Sequence, residues 1–291
     1  MGEEQLSAKL WIICLIESIG LHITLKEDEV SCLIEDKFMR RQIIAMDTKT
    51  NLTQEWLDKY ESIKDKLQCK VDLDEYFTKS KVANMDVAIL DLGQAHFPTG
   101  QIIACDPFVE LEDCDPFIQT IAPGTYSVQL CVVPHQKYGN RYACAKLKIS
   151  DAKAVRYEMA MTGKENLNEE IGEDEYFGFG VDAGMGCFAD VAAQKAFKKV
   201  WESMLEEDPD IDPYNDLFDD LLCENAKLHP DYQQSHGEWL NYTVPNSETS
   251  IVMFTSGWGD GYYPVYFAYD AQGNVCAVYI LFIDIAKEYN D

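Results

Sequence analysis

Four aspartates stand in or beside glycine or proline turns where strands are expected to end: Asp106, Asp182, Asp190 and Asp260. Loops on a rigid sheet can bring such side chains together. Carboxylate oxygens are ligands that suit Mg²⁺ or Ca²⁺ rather than zinc. One interpretation is therefore a metal-dependent hydrolase or ligand-processing enzyme, with Asp182 and Asp260 as the metal-ligand candidates. The other is that these residues only cap turns, since Asp and Gly are common turn residues.

The segment 176–190 alternates aromatic residues and glycines before it reaches these aspartates. Gly178 and Gly180 leave one face of a predicted strand bare, so another backbone or a ligand can approach it closely. Gly184 and Gly186 can take positive φ angles, which predicts a sharp turn between them. A strand, a glycine turn and a helix start can together hold an anion on free N–H groups.

The chain is expected to turn around Met185 and to start a helix at Asp190, which is a suitable N-cap for residues 191–197. Cys187 lies between them and raises a third hypothesis, a cysteine nucleophile with a histidine base. None of the five histidines stands in a recognised thiol-enzyme signature, and a buried cysteine is usually inert. The alternative is that Cys187 is a packed core residue.

A second glycine-rich segment, Ser256–Gly261, resembles a phosphate-binding loop only in its glycines, because it lacks the Lys-Ser/Thr pair of a P-loop. It predicts a hairpin loop that exposes Trp258 and Asp260. If the chain has a functional site, we expect it where the 181–190 turn meets this loop, with Asp106, Asp182 and Gly184 close by.

The net charge of the protein limits the classes of binding partner that we expect. The 291 residues include 51 acidic and 24 basic ones, a net charge of −27. Nucleic acids and anionic membrane surfaces are bound by clustered Lys and Arg, so neither is expected as a partner. A basic protein suits this charge better, and the segment 202–224 contains ten acidic residues and no basic one. The alternative is that the charge serves solubility alone.

Trp258, Tyr262 and Tyr263 are side chains of the kind that anchor protein interfaces. Together with the charge they favour a non-catalytic binding or interaction protein, for example an acidic antidote that masks a basic toxin. This hypothesis needs no cofactor, whereas the enzyme hypothesis above needs Mg²⁺ or Ca²⁺.

The ten cysteines form no C-x-x-C pair, which gives structural zinc little support. The N-terminus has no convincing signal peptide, so we expect reduced, mostly buried thiols and a cytoplasmic location. A Cys-Asp-Pro-Phe motif occurs twice, at 105–108 and 114–117. It predicts two tandem turns with buried phenylalanines, and metal binding by Asp106 and Asp115 is the alternative.

Periodicity and turn residues predict the elements that would position these groups. Helices are predicted over Thr53–Leu67, over Ala192–Leu205, and from Pro213, behind the N-cap Asp212, to a point before His229. Strands are predicted at 101–105, 125–133, 142–149, 155–161, 251–255, 263–269 and 275–284, and a hairpin at 22–34. In the strand 142–149, Lys146 is expected on the face away from the apolar residues.

Short strands joined by tight turns are typical of an antiparallel meander. We therefore expect an α+β protein with an antiparallel β-sheet of meander or sandwich-like form, flanking helices and a helical N-terminal region. The expected domains are a helical region at residues 1–86 and a β-rich α+β domain at residues 87–291.

Five segments resemble a bacterial family, domain of unknown function 4241: Pro98-Thr-Gly100, Cys105-Asp-Pro107, Pro123-Gly-Thr-Tyr126, Val181–Asp190 and Ser256–Gly261. The resemblance spans roughly Asp91 to Asp284. It implies one β-rich domain that carries all of these motifs, and it implies no particular activity.

Overall fold

The computed structural model describes residues 52–134, 139–168, 172 and 175–289, which belong to one compact unit. The predicted hairpin at 22–34 lies outside these residues. Of the predicted N-terminal region, the described part contributes Tyr60, Leu67 and Tyr76 to the main core. The boundary at residues 86 and 87 stays a prediction, since residues 1–51 are outside the description.

The helices are α1 (Gln54–Ile63), which continues in a 3₁₀ turn (Lys64–Leu67), α2 (Glu75–Thr78), α3 (Val191–Glu207), a π-helical turn (Pro213–Phe218) that leads into α4 (Asp219–Leu228), and α5 (Ile285–Tyr289). Predicted caps are confirmed at three places. Thr53 Oγ1 accepts the Trp56 N–H at 3.1 Å, Asp190 accepts the Ala192 N–H at 2.8 Å, and Asp212 accepts the Asn215 N–H at 2.7 Å. None of the described helices combines the length and the hydropathy needed to span a bilayer.

Fourteen strands are formed by the described residues: β1 (Lys81–Val82), β2 (Met85–Asp86), β3 (Ala88–Phe97), β4 (Ile102–Ile103), β5 (Gly124–Val133), β6 (Arg141–Lys148), β7 (Arg156–Met159), β8 (Phe179–Val181), β9 (Met185–Asp190), β10 (Trp239–Thr243), β11 (Ser250–Thr255), β12 (Gly261–Tyr263), β13 (Val265–Tyr269) and β14 (Val275–Leu281). All pairings between them are antiparallel. The α+β class with an antiparallel sheet is therefore confirmed.

Two larger sheets dominate the fold. A six-stranded sheet has the order β3-β5-β6-β14-β13-β7, and a four-stranded sheet has the order β10-β11-β9-β4. The ribbons β1–β2 and β8–β12 are separate. Asn241 of β10 connects the larger sheets, because its Nδ2 lies 3.0 Å from the carbonyl oxygens of Leu92 and Gln94 at an irregularity of β3.

Side chains of the four-stranded sheet alternate between two cores. Phe188 and Phe254 belong to the core that also holds the six-stranded sheet. Cys187, Ala189 and Met253 belong to a second core, whose other side is formed by α3, the π-helical turn and α4. The molecule is thus layered as sheet, sheet and helices, with β9 at the centre of the middle layer.

The predicted turn around Met185 is wrong, because Met185–Asp190 is the strand β9. The chain turns earlier, at residues 182–184, where Gly184 has a φ of +72°, whereas Gly186 pairs with Phe254 inside the sheet. All six residues of β9 are buried. A strand covered on both faces has no apolar–polar alternation, so its glycines suggested a turn instead.

Like β9, the strand β6 is covered on both faces, which its sequence pattern did not predict. Lys146 was expected to face away from the core, yet it is only 9% exposed. Its Nζ lies 3.1 Å from Asp74 Oδ1 and 5.3 Å from the centre of the Phe77 ring. The helix α2, with its N-cap residue Asp74, therefore covers this face of the sheet.

Candidate functional site

A buried carboxylate supports the turn at residues 182–184. Asp106 Oδ2 accepts the backbone N–H groups of Asp182 at 3.0 Å and Ala183 at 2.7 Å, and Oδ1 accepts the N–H of Phe108 at 3.1 Å. Asp106 is only 1% exposed. The side chain is charged and buried, and these three donors satisfy it. Asp106 therefore connects the turn that includes Phe108 with the turn at residues 182–184. We call this set of hydrogen bonds, from Asp182, Ala183 and Phe108 to Asp106, the Asp106 bracket.

The loop Ser256–Gly261 adjoins this turn. The Ser256 N–H donates to the carbonyl of Gly184 at 3.1 Å, and Gly261 pairs with Val181 in the β8–β12 ribbon. The loop is not the predicted hairpin loop. Its two flanking strands do not pair with each other, since β11 lies between β10 and β9 and β12 pairs with β8. The loop thus joins two sheets.

The buried Tyr263 holds the loop in place through hydrogen bonds to its backbone. Its hydroxyl lies 3.0 Å from the Ser256 carbonyl and 2.7 Å from the Gly259 carbonyl, and Ser256 Oγ donates to the same Gly259 oxygen at 2.8 Å. Tyr263 is buried, and burial raises the pKa of its hydroxyl. Of the three aromatic residues predicted to suit an interface, Tyr263 is therefore the one that is buried, with its hydroxyl bonded to the loop backbone.

The 182–184 turn and the Ser256–Gly261 loop together form one corner of the molecule. Three other aromatic side chains are exposed at this corner: Trp258 at 43%, Tyr262 at 49% and Tyr176 at 40%. We call them the aromatic surface. The rings of Tyr176 and Tyr262 stack, with centroids 6.3 Å apart and planes 11° apart. The Tyr176 hydroxyl donates to the Tyr262 carbonyl at 3.0 Å, and the Tyr262 hydroxyl accepts the Gly178 N–H at 3.1 Å.

Arg141 was not recognised from the sequence as part of this corner. Its guanidinium carbon lies 4.8 Å from the centre of the Trp258 ring, which is cation–π geometry. It comes from β6, more than a hundred residues before the loop, so no local pattern could have indicated the contact. The contact of Tyr176 with Tyr262 was also not predicted, because the two residues are 86 positions apart in the sequence.

Asp182 and Asp260 are both exposed beside the aromatic surface. Around Gly184 and Gly259 no atom lies within 4 Å of the position that a Cβ would take. The turn and the loop therefore present an open, acidic surface with aromatic rings.

Asp190 lies at the far end of β9 from this corner. It is fully buried, and besides capping α3 it accepts the N–H groups of Thr99 at 3.1 Å and Gly100 at 3.0 Å. The Thr99 hydroxyl donates to it at 2.8 Å. Its carboxylate thus fastens the segment before β4 to the start of α3. The Pro98-Thr-Gly100 motif was the only sequence signal for this contact.

The remaining predicted positions are Cys187 and Asp115. Cys187 is fully buried, and its Sγ lies 3.8 Å from Cys105 Sγ, so its position agrees with a packed residue rather than with an accessible nucleophile. Asp115 forms an ion pair with Lys164. The first Cys-Asp-Pro-Phe segment leads into a turn at residues 107–113, in which Phe108 is half-buried, whereas the second, at 114–117, is extended and buries Phe117 without forming the predicted second turn.

Metal binding gains no geometric support here. In the part of the chain that the structure describes, no three His, Cys, Asp or Glu side chains are grouped so that they could hold a metal ion. Asp106 and Asp190 use their carboxylates on backbone N–H groups. A metal role for Asp182 and Asp260 stays a prediction.

Comparisons with known proteins give one match. No curated protein and no solved structure matches the chain. A family model described as "Protein of unknown function (DUF4241)" matches residues 95–280, which include the Asp106 bracket, the 182–184 turn and the aromatic surface. Because the matched span covers well over half of the sequence, the chain belongs to the DUF4241 family of proteins of unknown function.

Proposed function

We propose that this protein is a non-catalytic binding protein and that the aromatic surface is its contact site. The observation that carries the proposal is the set of three exposed rings, Tyr176, Trp258 and Tyr262, on a corner whose backbone is held from beneath. Such rings supply most of the binding energy in many protein interfaces.

The surface is already ordered in the free protein, which reduces the entropy lost on binding. Tyr262 is fixed by the stacked ring of Tyr176 and by the Gly178 N–H. Trp258 is covered on one side by Arg141, and the loop that carries it is fixed by Tyr263. A partner would therefore meet rings that have few alternative positions.

Charge determines the class of partner that we propose. Asp182 and Asp260 are exposed beside the rings. The middle of the acidic segment 202–224 approaches the Asp106 bracket, because Phe108 contacts Tyr214 with ring centroids 5.4 Å apart. A basic protein would find both apolar rings and carboxylates in one region. Masking of such a partner, as an antidote masks a basic toxin, is the role that follows from this proposal.

The test is a co-purification from the source cells at low salt with immobilised protein. We expect a basic protein to be retained by the wild type and released by salt, since charge steers and holds the contact. The double variant Trp258→Ala/Tyr262→Ala should retain at least tenfold less of this partner than the wild type does. Leu228→Ala is the matched control, because Leu228 is an apolar residue 76% exposed at the end of α4.

The affinity of the captured protein would then be measured by calorimetry with the purified pair. Equal affinity for the wild type and the double variant would remove the aromatic surface from the proposal. If no basic protein is retained at low salt, the binding proposal as a whole fails. The antidote role requires in addition that co-expression relieves the toxicity of the captured protein.

A further inference from the structure

Three cysteine sulfurs meet beneath the Asp106 bracket. Cys105 Sγ lies 3.3 Å from Cys114 Sγ and 3.8 Å from Cys187 Sγ. Cys105 and Cys187 are buried, whereas Cys114 is half-buried. Two sulfurs in contact need to approach only to about 2.05 Å to form a disulfide. The cluster thus contains an adjacent thiol pair in which Cys105 is buried and Cys114 only half-buried.

The backbone between the two thiols folds so that Cys114 returns over Cys105. The Glu110 N–H donates to the Asp106 carbonyl at 3.0 Å, and the Cys114 N–H donates to the Glu110 carbonyl at 2.9 Å. Gln194 of α3 then clamps this segment, since its Nε2 donates to the carbonyls of Leu111 at 2.9 Å and Cys114 at 2.8 Å. The same Nε2 lies 3.5 Å from Cys114 Sγ.

The two members of the pair differ in reactivity. Hydrogen bonds with Cys114 and Cys187, together with burial, raise the pKa of the Cys105 thiol well above its ordinary value. Because the thiolate is the reactive form, this raised pKa slows the reaction of Cys105 with an oxidant in solution. It leaves Cys105 able to react with a group formed on the adjacent Cys114 sulfur, 3.3 Å away. Cys114 is the member that a small oxidant in solution can reach first.

We propose that Cys105 and Cys114 are an oxidative modification site, at which a peroxide converts the two thiols into a disulfide. Cys114 attacks the peroxide, its sulfur is oxidised to a sulfenic acid, and the peroxide is reduced to one molecule of water. Cys105 then attacks the sulfenic sulfur, the S–S bond forms and the S–O bond breaks. The hydroxyl leaves as a second molecule of water with the proton of Cys105. This proposal does not depend on the binding function above.

The experiment treats the folded wild-type protein with hydrogen peroxide, alkylates the remaining thiols and digests the chain with a protease that cleaves after acidic residues. Cleavage after Glu110 or Glu112 separates the two cysteines, so a disulfide links two peptides that mass spectrometry identifies. We expect a Cys105–Cys114 link. Cys131 and Cys144 face each other across β5 and β6 and are fully buried. They should therefore stay reduced during the peroxide treatment and become alkylated when the protein is afterwards denatured in the alkylating agent, unless the peroxide has unfolded the protein.

Variants separate the roles of the two cysteines. Cys114→Ser should slow the loss of the Cys105 thiol at least tenfold. Cys105→Ser should leave a sulfenic acid on Cys114 that dimedone traps. Cys223→Ser is the matched control and should react like the wild type, because Cys223 is half-buried and its sulfur contacts the His236 carbonyl at 3.7 Å.

Three results would overturn the proposal: a Cys105–Cys187 link in the wild type, equal loss of the Cys105 thiol in Cys114→Ser, or oxidation of Cys114 to higher acids without any link. Circular dichroism of each variant checks that it is folded. If Cys105→Ser is unfolded, the comparison of Cys114→Ser with Cys223→Ser still decides the matter.

Discussion

The carboxylate of Asp106 holds the backbone of Asp182, with 3.0 Å between Oδ2 and the amide nitrogen. Both residues were candidates for one site, and the structure does place them together. Their roles differ, however, because Asp106 is buried and contributes its side chain, whereas Asp182 contributes its backbone and leaves its own carboxylate exposed.

This division of roles predicts unequal effects on stability. Asp106→Ala should lower the free energy of unfolding by about 2–4 kcal/mol, since it leaves N–H groups of two turns without their charged acceptor. Asp182→Ala keeps the backbone N–H and should change stability by less than about 0.5 kcal/mol. Urea unfolding measures both. Equal losses would show that the Asp182 side chain is itself structural.

Gly178 and Gly180 are expected to respond differently to alanine. A Cβ on Gly178 would lie 2.0 Å from the Tyr263 carbonyl oxygen, whereas no atom lies within 4 Å of that position on Gly180. Gly178→Ala should therefore cost about 1–3 kcal/mol through overpacking, and Gly180→Ala should be neutral or slightly stabilising. Thermal unfolding of the two variants gives the comparison, and a larger loss for Gly180→Ala would contradict it.

Removal of one hydroxyl should loosen the loop that carries Trp258. Tyr263→Phe loses the hydrogen bond to the Ser256 and Gly259 carbonyls and should cost about 1 kcal/mol. Amide hydrogen exchange in residues 256–261 should become faster. Tyr126→Phe is the control, since its hydroxyl donates to the Ala122 carbonyl at 2.6 Å. The same acceleration in both variants would mean that the Tyr263 hydroxyl does not fix the loop.

Stability should fall in acid partly through Asp74. Burial alone would raise the pKa of Asp74, but hydrogen bonds from Tyr279 and the Ala154 N–H and the charge of Lys146 outweigh it, so the pKa is lowered. A carboxyl with a lowered pKa stabilises the fold above its unfolded pKa, about 3.9 for Asp, and this contribution is lost as the pH falls through the folded value.

The measurement is urea unfolding of the wild type and Asp74→Asn from pH 7 to pH 3. The wild type should be the more stable protein at pH 7. The difference should shrink below about pH 4, where the unfolded carboxyl takes up a proton before the folded one does. A difference that stays constant over this range would assign the effect of the substitution to packing.

Metal ions should not raise the melting temperature. Asp106 already accepts three backbone N–H groups, so its carboxylate is not available beside Asp182 as a ligand. Thermal shifts with Mg²⁺, Ca²⁺, Mn²⁺ and EDTA test this, because a ligand that binds the folded state raises the melting temperature. A rise with one metal that disappears in both Asp182→Ala and Asp260→Ala would favour the metal-dependent hydrolase instead of the binding proposal.

Local chemistry was readable from the sequence by itself. The caps Thr53, Asp190 and Asp212 each bond an N–H group two or three residues away, and the strands of the β5–β6 pair lie close in sequence. Contacts of this range depend on neighbouring residue types, so the α+β class and the helix starts followed from the residues alone.

Only the tertiary structure decided what the same residues do at long range. It placed Asp106 under a turn 76 residues further along the chain and brought Cys187 to Cys105 across 82 residues. It also turned a predicted hairpin loop into a connection between two sheets, and it made β9 a strand buried on both faces. Pairing partners and burial of this kind depend on which distant segments cover a residue, and the local order of residue types does not contain that information.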